Sequence, residues 1–207
     1  MKAPQRKRRR ELEGELKREE IVQAAEDALR RYGPAKATVI DVARALGVSH
    51  GSVYRHFESK AALISAVVEG WLLRLSVTLD EVARQPGTAQ ERLRGWLNTL
   101  RELKMHRYQQ EAELFATYHQ LMTDSREAVR SYYDALTRQL QSIIAAGVAS
   151  GEFRSSDVMA TTRAIFDATI RFHHPWHAAD WHEPGIDTSF ENLWTLILYG
   201  ISTDKPA

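Results

Sequence analysis

The chain has 207 residues, of which 43% are hydrophobic, a formal net charge of +1 and no cysteine. This length allows one or two domains with a substantial core, and the lack of cysteine excludes disulfides, thiol redox sensing and zinc sites built on sulfur. No run of 18 apolar residues occurs, so the sequence predicts a cytoplasmic protein that is neither secreted nor membrane-spanning.

Charge is distributed unevenly along the chain. Residues 1–60 contain 14 Lys and Arg against 9 Asp and Glu, whereas residues 61–207 contain 14 against 18. A basic cluster in residues 1–16 precedes the first clear helical pattern and predicts a flexible arm that tracks DNA phosphates or enters a minor groove. A solvated tail that only raises solubility is an equally good interpretation.

Two helices are predicted first in the chain. Apolar residues at helical spacing predict a leading helix over about 17–32, ended by Gly33 and Pro34. Thr38 and Asp41 have the spacing of a capping box, which predicts that a second helix begins after Thr38.

A tight turn and a third helix follow. Gly47 suits the left-handed position after the second helix, and Ser49 is a good N-cap for a short helix over about 50–57. On this helix Val53 and Phe57 have the spacing of core residues, and the rest are small or polar. Two helices joined in this way are typical of a helix-turn-helix, which predicts DNA binding.

The residues around this motif resemble the N-terminal domain of TetR/AcrR-type transcriptional regulators over roughly 50 residues without a gap. The resemblance is specific because the Tyr54/Phe57 pair, the Ser59-Lys60 step and the spacing to the leading helix agree together. Two positions depart mildly from the pattern of this family, because Val53 and Ala61 stand where other residues are more common. The residues that carry the resemblance are Arg18, Ile21, Ala24, Ala25, Leu29, Gly33, Thr38, Val42, Ala43, Gly47, Val48, Ser49, Gly51, Val53, Tyr54, His56, Phe57, Ser59, Lys60 and Leu63.

The resemblance implies a helix-turn-helix domain at 17–60 and a C-terminal effector-binding and dimerisation domain at 61–207. Base contacts are expected from His50, Ser52 and Arg55. Phosphate contacts are expected from Thr38, Tyr54, His56 and Lys60. The alternative to a phosphate contact is an ordinary surface lysine for Lys60 and a buried core tyrosine for Tyr54. The full predicted DNA-binding set is Thr38, Ser49, His50, Gly51, Ser52, Tyr54, Arg55, His56 and Lys60.

The rest of the chain has helical periodicity and no strand pattern, so the predicted fold class is all-α in two parts. A capping box at Thr88 and Glu91 predicts one of the helix starts. The predicted helices span about 61–84, 88–106, 109–122, 125–149, 158–172 and 188–201.

The last two helices are rich in apolar residues. In similar proteins the corresponding pair forms a dimer interface, and a two-fold dimer would double the DNA site and require a palindromic operator. Burial in the protomer core is the alternative explanation. The predicted interface residues are Ile165, Phe172, Leu193, Trp194, Ile197, Leu198 and Ile201.

The resemblance also implies that a small-molecule effector binds within the C-terminal bundle. Aromatic residues with a few polar anchors suit an organic ligand, although helical aromatic residues also form ordinary cores. The candidate pocket residues are Trp96, Phe115, Tyr118, His119, Met122, Tyr133, Asp167, Ile170, Arg171 and His174.

Four of the eight histidines lie within residues 173–182. Imidazole and carboxylate groups are ligands for transition metals, and His119, Asp167 and His174 are the candidates for such a site. Pro175 interrupts the segment, so capping of a broken helix and contact with the effector are alternative roles. No other cofactor is predicted.

The sequence contains no nucleophile elbow, phosphate loop or dinucleotide fingerprint, so it does not predict an enzyme. The favoured function is a homodimeric repressor that leaves its operator when a small ligand binds. A metal-responsive regulator and an architectural DNA-binding protein without effector control are the alternatives.

Overall fold

The computed structural model describes residues 16–110, 126–154 and 157–203. In these ranges the chain is helical, with one isolated bridge between Phe153 and Ser202, so the predicted all-α class is confirmed. The chain divides into two compact units. Among the described residues the first unit comprises 16–72 and 126–129, and the second comprises 73–110, 130–154 and 157–203.

The first unit is built on α1 (Arg18–Lys36), α2 (Val39–Leu46) and α3 (His50–Tyr54), followed by the start of α4 (Lys60–Ala83). Helical geometry in α1 is interrupted at Gly33, which has a φ of 72°, so the regular helix ends where the sequence predicts. The core of these helices is aliphatic and aromatic. It includes Ile21, Ala25, Leu29, Val42, Ala43, Val48, Val53, Phe57 and Leu63.

Local capping fixes both ends of α2. The Asp41 amide donates to the Thr38 hydroxyl at 3.2 Å, and the Thr38 amide donates to the Asp41 carboxylate at 3.0 Å. The hydrogen bond from the Thr38 hydroxyl holds the pKa of Asp41 below its usual value. Gly47 is left-handed, with a φ of 68°, and its amide bonds back to the last turn. Both predicted caps are confirmed.

The second unit contains the remainder of α4, then α5 (Ala89–Gln110), α6 (Arg126–Ser150) from residue 130 onward, α7 (Val158–Ala168) and α8 (Ile186–Ile201). Two 3₁₀ segments, Ile170–Phe172 and Pro175–His182, connect α7 to α8. Beyond Gln110, the predicted helix at 109–122 lies outside the described residues. The buried side chains of this unit include Leu79, Leu93, Trp96, Leu100, Leu136, Leu140, Ile144, Trp181 and Phe190.

The helix predicted at 158–172 is too long. The structure ends α7 at Ala168, and the Thr169 hydroxyl then donates to the Ile165 carbonyl at 3.0 Å as the chain tightens into a 3₁₀ turn. The Thr88 capping box is confirmed, since the Thr88 amide donates to the Glu91 carboxylate at 2.8 Å and the Glu91 amide donates to the Thr88 hydroxyl at 3.1 Å.

Among the described helices, α4 alone is long and apolar enough to cross a membrane by length and composition. Half of its most apolar window is buried inside the protein. Val67 and Val68 are completely buried and Trp71 is 1% exposed, as expected for a helix that fills a core.

Candidate DNA interface and effector region

The recognition helix α3 is stabilised at its start by two serines. The Ser52 amide donates to the Ser49 hydroxyl at 3.1 Å, and the two hydroxyl oxygens are 2.6 Å apart. Ser52 is only 1% exposed, which does not fit the predicted base contact. Its short side chain turns back to the cap, so Ser52 positions the helix and is not part of the proposed contact surface.

The outer face of α3 carries the predicted contact residues His50, Gly51, Tyr54 and Arg55, all of which are exposed. The Tyr54 side chain is 46% exposed, so the alternative of a buried core tyrosine is wrong. The His50 and Tyr54 rings meet edge to face with their centroids 6.4 Å apart. This pair is one helical turn apart and forms a single protruding surface.

The other end of α3 is attached to α1. Val53 and Phe57 are buried as predicted. The Arg18 guanidinium donates to the His56 carbonyl at 3.4 Å and lies 4.3 Å from the centroid of the Phe57 ring. This role of Arg18 could not be predicted, because a contact between residues 38 positions apart leaves no local signal in the sequence. The His56 side chain is half-buried.

Two predicted phosphate contacts lie at helix starts. Ser59 accepts the Ala62 amide at 3.0 Å and caps α4, whose first residue is Lys60. A helix start favours an anion through its free amides and dipole. Thr38 is exposed, but its amide and hydroxyl both donate to Asp41. A phosphate at Thr38 would therefore have to share these donors.

The predicted effector residues that the structure describes differ widely in burial. Trp96 is completely buried and its indole donates to the Gln139 side chain at 3.1 Å, while Tyr133 is half-buried. Asp167 is exposed and Ile170 is 43% exposed. Four further candidates, Phe115, Tyr118, His119 and Met122, lie outside the described residues.

Arg171 and His174 have structural partners. Arg171 pairs with the carboxylates of Asp180 at 3.2 Å and Glu183 at 3.4 Å, which ties the second 3₁₀ segment to the first. Nδ1 of His174 accepts the Trp176 amide at 3.3 Å and caps that segment. Capping of a broken helix, one of the roles considered for the histidine segment, is therefore confirmed for His174.

The described residues contain no group of three or more side chains placed to hold a metal ion. Two of the three metal candidates, Asp167 and His174, are within the described part of the chain, whereas His119 is outside it. Since His174 uses a ring nitrogen as a cap, the geometry gives the predicted metal site no support.

A buried polar cluster was missed by sequence analysis. Lys104 on α5, Tyr132 on α6 and His173 after the first 3₁₀ segment are each at most 5% exposed. The Lys104 ammonium lies 5.0 Å from the centroid of the Tyr132 ring. The sequence held one sign of this cluster, since Lys104 occupies a core-facing position of a helix. Such a position is uncommon for lysine, which is rarely buried.

The predicted dimer residues prove to be mostly core residues of the protomer. Ile165, Phe172, Trp194, Leu198 and Ile201 are all buried within the single chain, so they cannot form an exposed interface, and that part of the prediction is wrong. Leu193 and Ile197 are half-buried. The residues of α8 that protrude are Leu196 and Tyr199, which are 69% and 47% exposed.

The fold and the exposed recognition helix define a DNA-binding protein of the helix-turn-helix class. Comparison with known families gives the particular family. A model described as "Bacterial regulatory proteins, tetR family" matches residues 21–67, and one described as "Tetracyclin repressor-like, C-terminal domain" matches residues 89–194. The chain belongs to the TetR family and is a soluble transcriptional regulator that binds DNA, not an enzyme.

Curated relatives include the HTH-type transcriptional repressor KstR2 of Rhodococcus jostii, 26% identical over 193 residues that cover 90% of this chain and 92% of that protein. KstR2 of Mycolicibacterium smegmatis is 28% identical over 203 residues, with coverage of 91% and 92%. Among solved structures, FadR from Bacillus subtilis in complex with stearoyl-CoA has a TM-score of 0.63 at 18% identity, covering 89% of this chain and 99% of that chain. RolR in complex with resorcinol has a TM-score of 0.59 at 14% identity, covering 96% and 91%.

Proposed function

We propose that the protein is a cytoplasmic, ligand-responsive repressor that binds a palindromic operator as a homodimer and leaves it when a small organic molecule binds in the C-terminal bundle. The observation that carries the DNA part is the rigid, exposed face of α3, where His50, Tyr54 and Arg55 protrude from a helix capped at one end and held by Arg18 at the other. Side chains on such a face fit a major groove.

Within this proposal the contacts divide into two kinds. His50 and Arg55 contact base edges, and Gly51 lets the helix approach the groove closely. Tyr54, His56 and Lys60 contact phosphates, and the Ser49 cap orients the start of the helix toward the backbone. The basic residues of 1–16 add phosphate contacts, which would increase the salt dependence of binding.

The homodimer is proposed through the outer face of α8. Leu196 and Tyr199 are exposed, and the half-buried Leu193 and Ile197 extend their apolar surface. Exposed apolar residues on one helix favour an isologous contact between two copies. Two recognition helices would then bind half-sites separated by about 34 Å or more along the DNA.

Release by a small molecule is supported by the buried polar groups of the second unit and by the ligands named for proteins of the same fold. The structures of FadR and RolR were solved with stearoyl-CoA and resorcinol, both organic molecules. An effector acts by binding one conformation of the dimer more tightly than the other, which changes its affinity for DNA.

The test is selection of genomic DNA fragments by the purified full-length protein at near-physiological salt. Recovery of a palindromic site is expected, and binding to that site would then be measured with and without candidate organic ligands. Binding that is salt-sensitive and independent of sequence would contradict the proposal and favour an architectural protein. Loss of binding after chelator treatment alone would favour the metal-responsive alternative.

A further inference from the structure

Three polar side chains from separate elements meet in the interior of the second unit. Lys104, Tyr132 and His173 are 4%, 5% and 5% exposed, respectively. The Lys104 ammonium faces the Tyr132 ring at 5.0 Å, and its charge is close enough to His173 to lower the pKa of that imidazole. We call these three residues the buried triad.

The Tyr132 hydroxyl is one of several buried polar atoms that lack a hydrogen-bond partner among the described residues. It is inaccessible to solvent. Nearby, Gln139 links Trp96 to α4 by accepting from the indole at 3.1 Å and donating to the Ser76 carbonyl at 2.9 Å. A buried hydroxyl without a partner is unfavourable, so this donor is available to a ligand.

The electrostatics of the buried triad favour an anion. Burial lowers the pKa of Lys104 to about 7, because the charged form loses its hydration. Burial and the nearby Lys104 together lower the pKa of His173 to about 3, so His173 is neutral at physiological pH. A bound anion would stabilise the charged form of Lys104 and accept a hydrogen bond from it.

Aromatic side chains flank the buried triad. The half-buried Phe166 ring lies 5.0 Å from the His173 ring, 6.1 Å from the Tyr133 ring and 6.4 Å from the Trp96 ring, measured between centroids. Such a wall suits an apolar body and would exclude water from a polar group bound beside it.

We propose that the buried triad is the effector site and that it selects apolar molecules carrying a carboxylate, with Lys104 and Tyr132 donating hydrogen bonds to that group. The ligand body packs against Phe166 and Trp96. This inference rests on the proposed function, because it gives the chemical class of the effector that releases the operator. It also predicts that a neutral analogue of the same shape binds poorly.

The experiment compares matched acids and amides with the full-length protein at pH 7.5. The probes are 2-naphthoate with 2-naphthamide and cyclohexanecarboxylate with cyclohexanecarboxamide, measured by isothermal titration calorimetry. At least one acid is expected to bind about ten-fold more tightly than its amide, the size of one charge-assisted hydrogen bond. Lys104→Met should remove this preference.

Two further variants separate a binding role from a structural one. Tyr132→Phe keeps the ring and removes the hydroxyl, so it should weaken acid binding several-fold and amide binding less, because a carboxylate accepts a stronger hydrogen bond than an amide carbonyl. Arg138→Met removes an exposed cation from the same α6 helix and should alter neither. Circular dichroism confirms that each variant is folded.

Equal binding of acids and amides, or no binding of either, would overturn the inference. If acids bind with the predicted preference but do not change operator affinity, the anion site stands and effector control by that site is refuted. If a neutral ligand instead releases a specific operator, the proposed function stands and the carboxylate preference is wrong.

Discussion

The two compact units place their distinctive polar groups in opposite ways. In the first unit His50, Tyr54 and Arg55 lie exposed on a short helix. In the second unit Lys104 and Tyr132 are buried between helices. A DNA duplex has a fixed charged surface that must be met from outside, whereas a small molecule is recognised by being enclosed.

This difference determines what each unit requires from its surroundings. The exposed side chains of α3 need a rigid base, which the Ser49 cap and the Arg18 contact to His56 provide. The buried groups of the second unit need close packing around them, and their ionisation affects stability because the charged form is poorly solvated. Substitutions should therefore have different effects in the two units.

The largest predicted effect is a loss of stability caused by Gly147→Ala in α6. A Cβ at this position would lie 2.2 Å from the ring of Phe153 and 2.8 Å from the Cβ of Ala89, and Phe153 and Ala89 are both buried. Overpacking of this kind should lower the free energy of unfolding by about 3 kcal/mol, the upper part of the usual range. Urea denaturation followed by tryptophan fluorescence measures it.

Gly200→Ala on α8 is the matched control. A Cβ there meets no atom within 4 Å, so the substitution should leave stability unchanged or raise it by up to about 1 kcal/mol through helix propensity. Equal stability of the Gly147→Ala variant and the natural protein would show that the second unit is packed more loosely than the structure indicates.

The next largest effect is a loss of operator binding, caused by a substitution in the first unit that should leave stability nearly unchanged. Tyr54→Ala removes an exposed ring that contacts only His50 among the described aromatic residues. Loss of a hydrogen bond to a charged phosphate should weaken operator binding about ten-fold or more. Fluorescence anisotropy with labelled operator DNA measures this, and sedimentation measures whether the oligomeric state is unchanged.

Tyr32→Ala provides a control of similar exposure in the same unit. Tyr32 is 43% exposed on α1, outside the helix-turn-helix, so its removal should not change DNA affinity. If both variants bind the operator as well as the natural protein, Tyr54 has no role in DNA contact. If both bind weakly, the effect arises from the stability of the unit rather than from the surface of α3.

Much of the first unit could be predicted because its structure follows local rules. Thr38 with Asp41, Gly47 and Ser49 are each recognisable within a few residues of the helix end that they form. The orientation of Ser52 could not be predicted, because it depends on a side-chain bond to Ser49 in a helix of five residues.

The candidate site of the second unit could not be predicted, because its members are far apart in the sequence. Lys104, Tyr132 and His173 come from three elements, and their meeting depends on the packing of the helices rather than on any local pattern. The apolar residues of α8 were misassigned for a related reason. Periodicity shows that Trp194 and Leu198 share a face but cannot show whether the protomer or a second copy covers it.

The smallest effect, counted per pH unit, is a dependence of stability on pH above 7 that arises from a buried lysine of the second unit. The pKa of Lys104 is about 7 in the folded protein, against the ordinary lysine value of 10.5, which applies to the unfolded chain. Between these values the unfolded chain binds a proton that the folded chain does not, so the free energy of unfolding should rise as pH increases from 7. The limiting slope for one proton is about 1.4 kcal/mol per pH unit.

Lys104→Met should flatten this slope and raise stability at pH 7, because a buried cation is replaced by an apolar side chain of similar length. Urea denaturation at pH 7, 8 and 9 tests both effects while avoiding the ionisation of tyrosine in the unfolded chain. An unchanged slope in the variant would mean that Lys104 remains charged when buried. The anion site would then already be electrostatically compensated within the protein, and a carboxylate ligand would gain little from binding there.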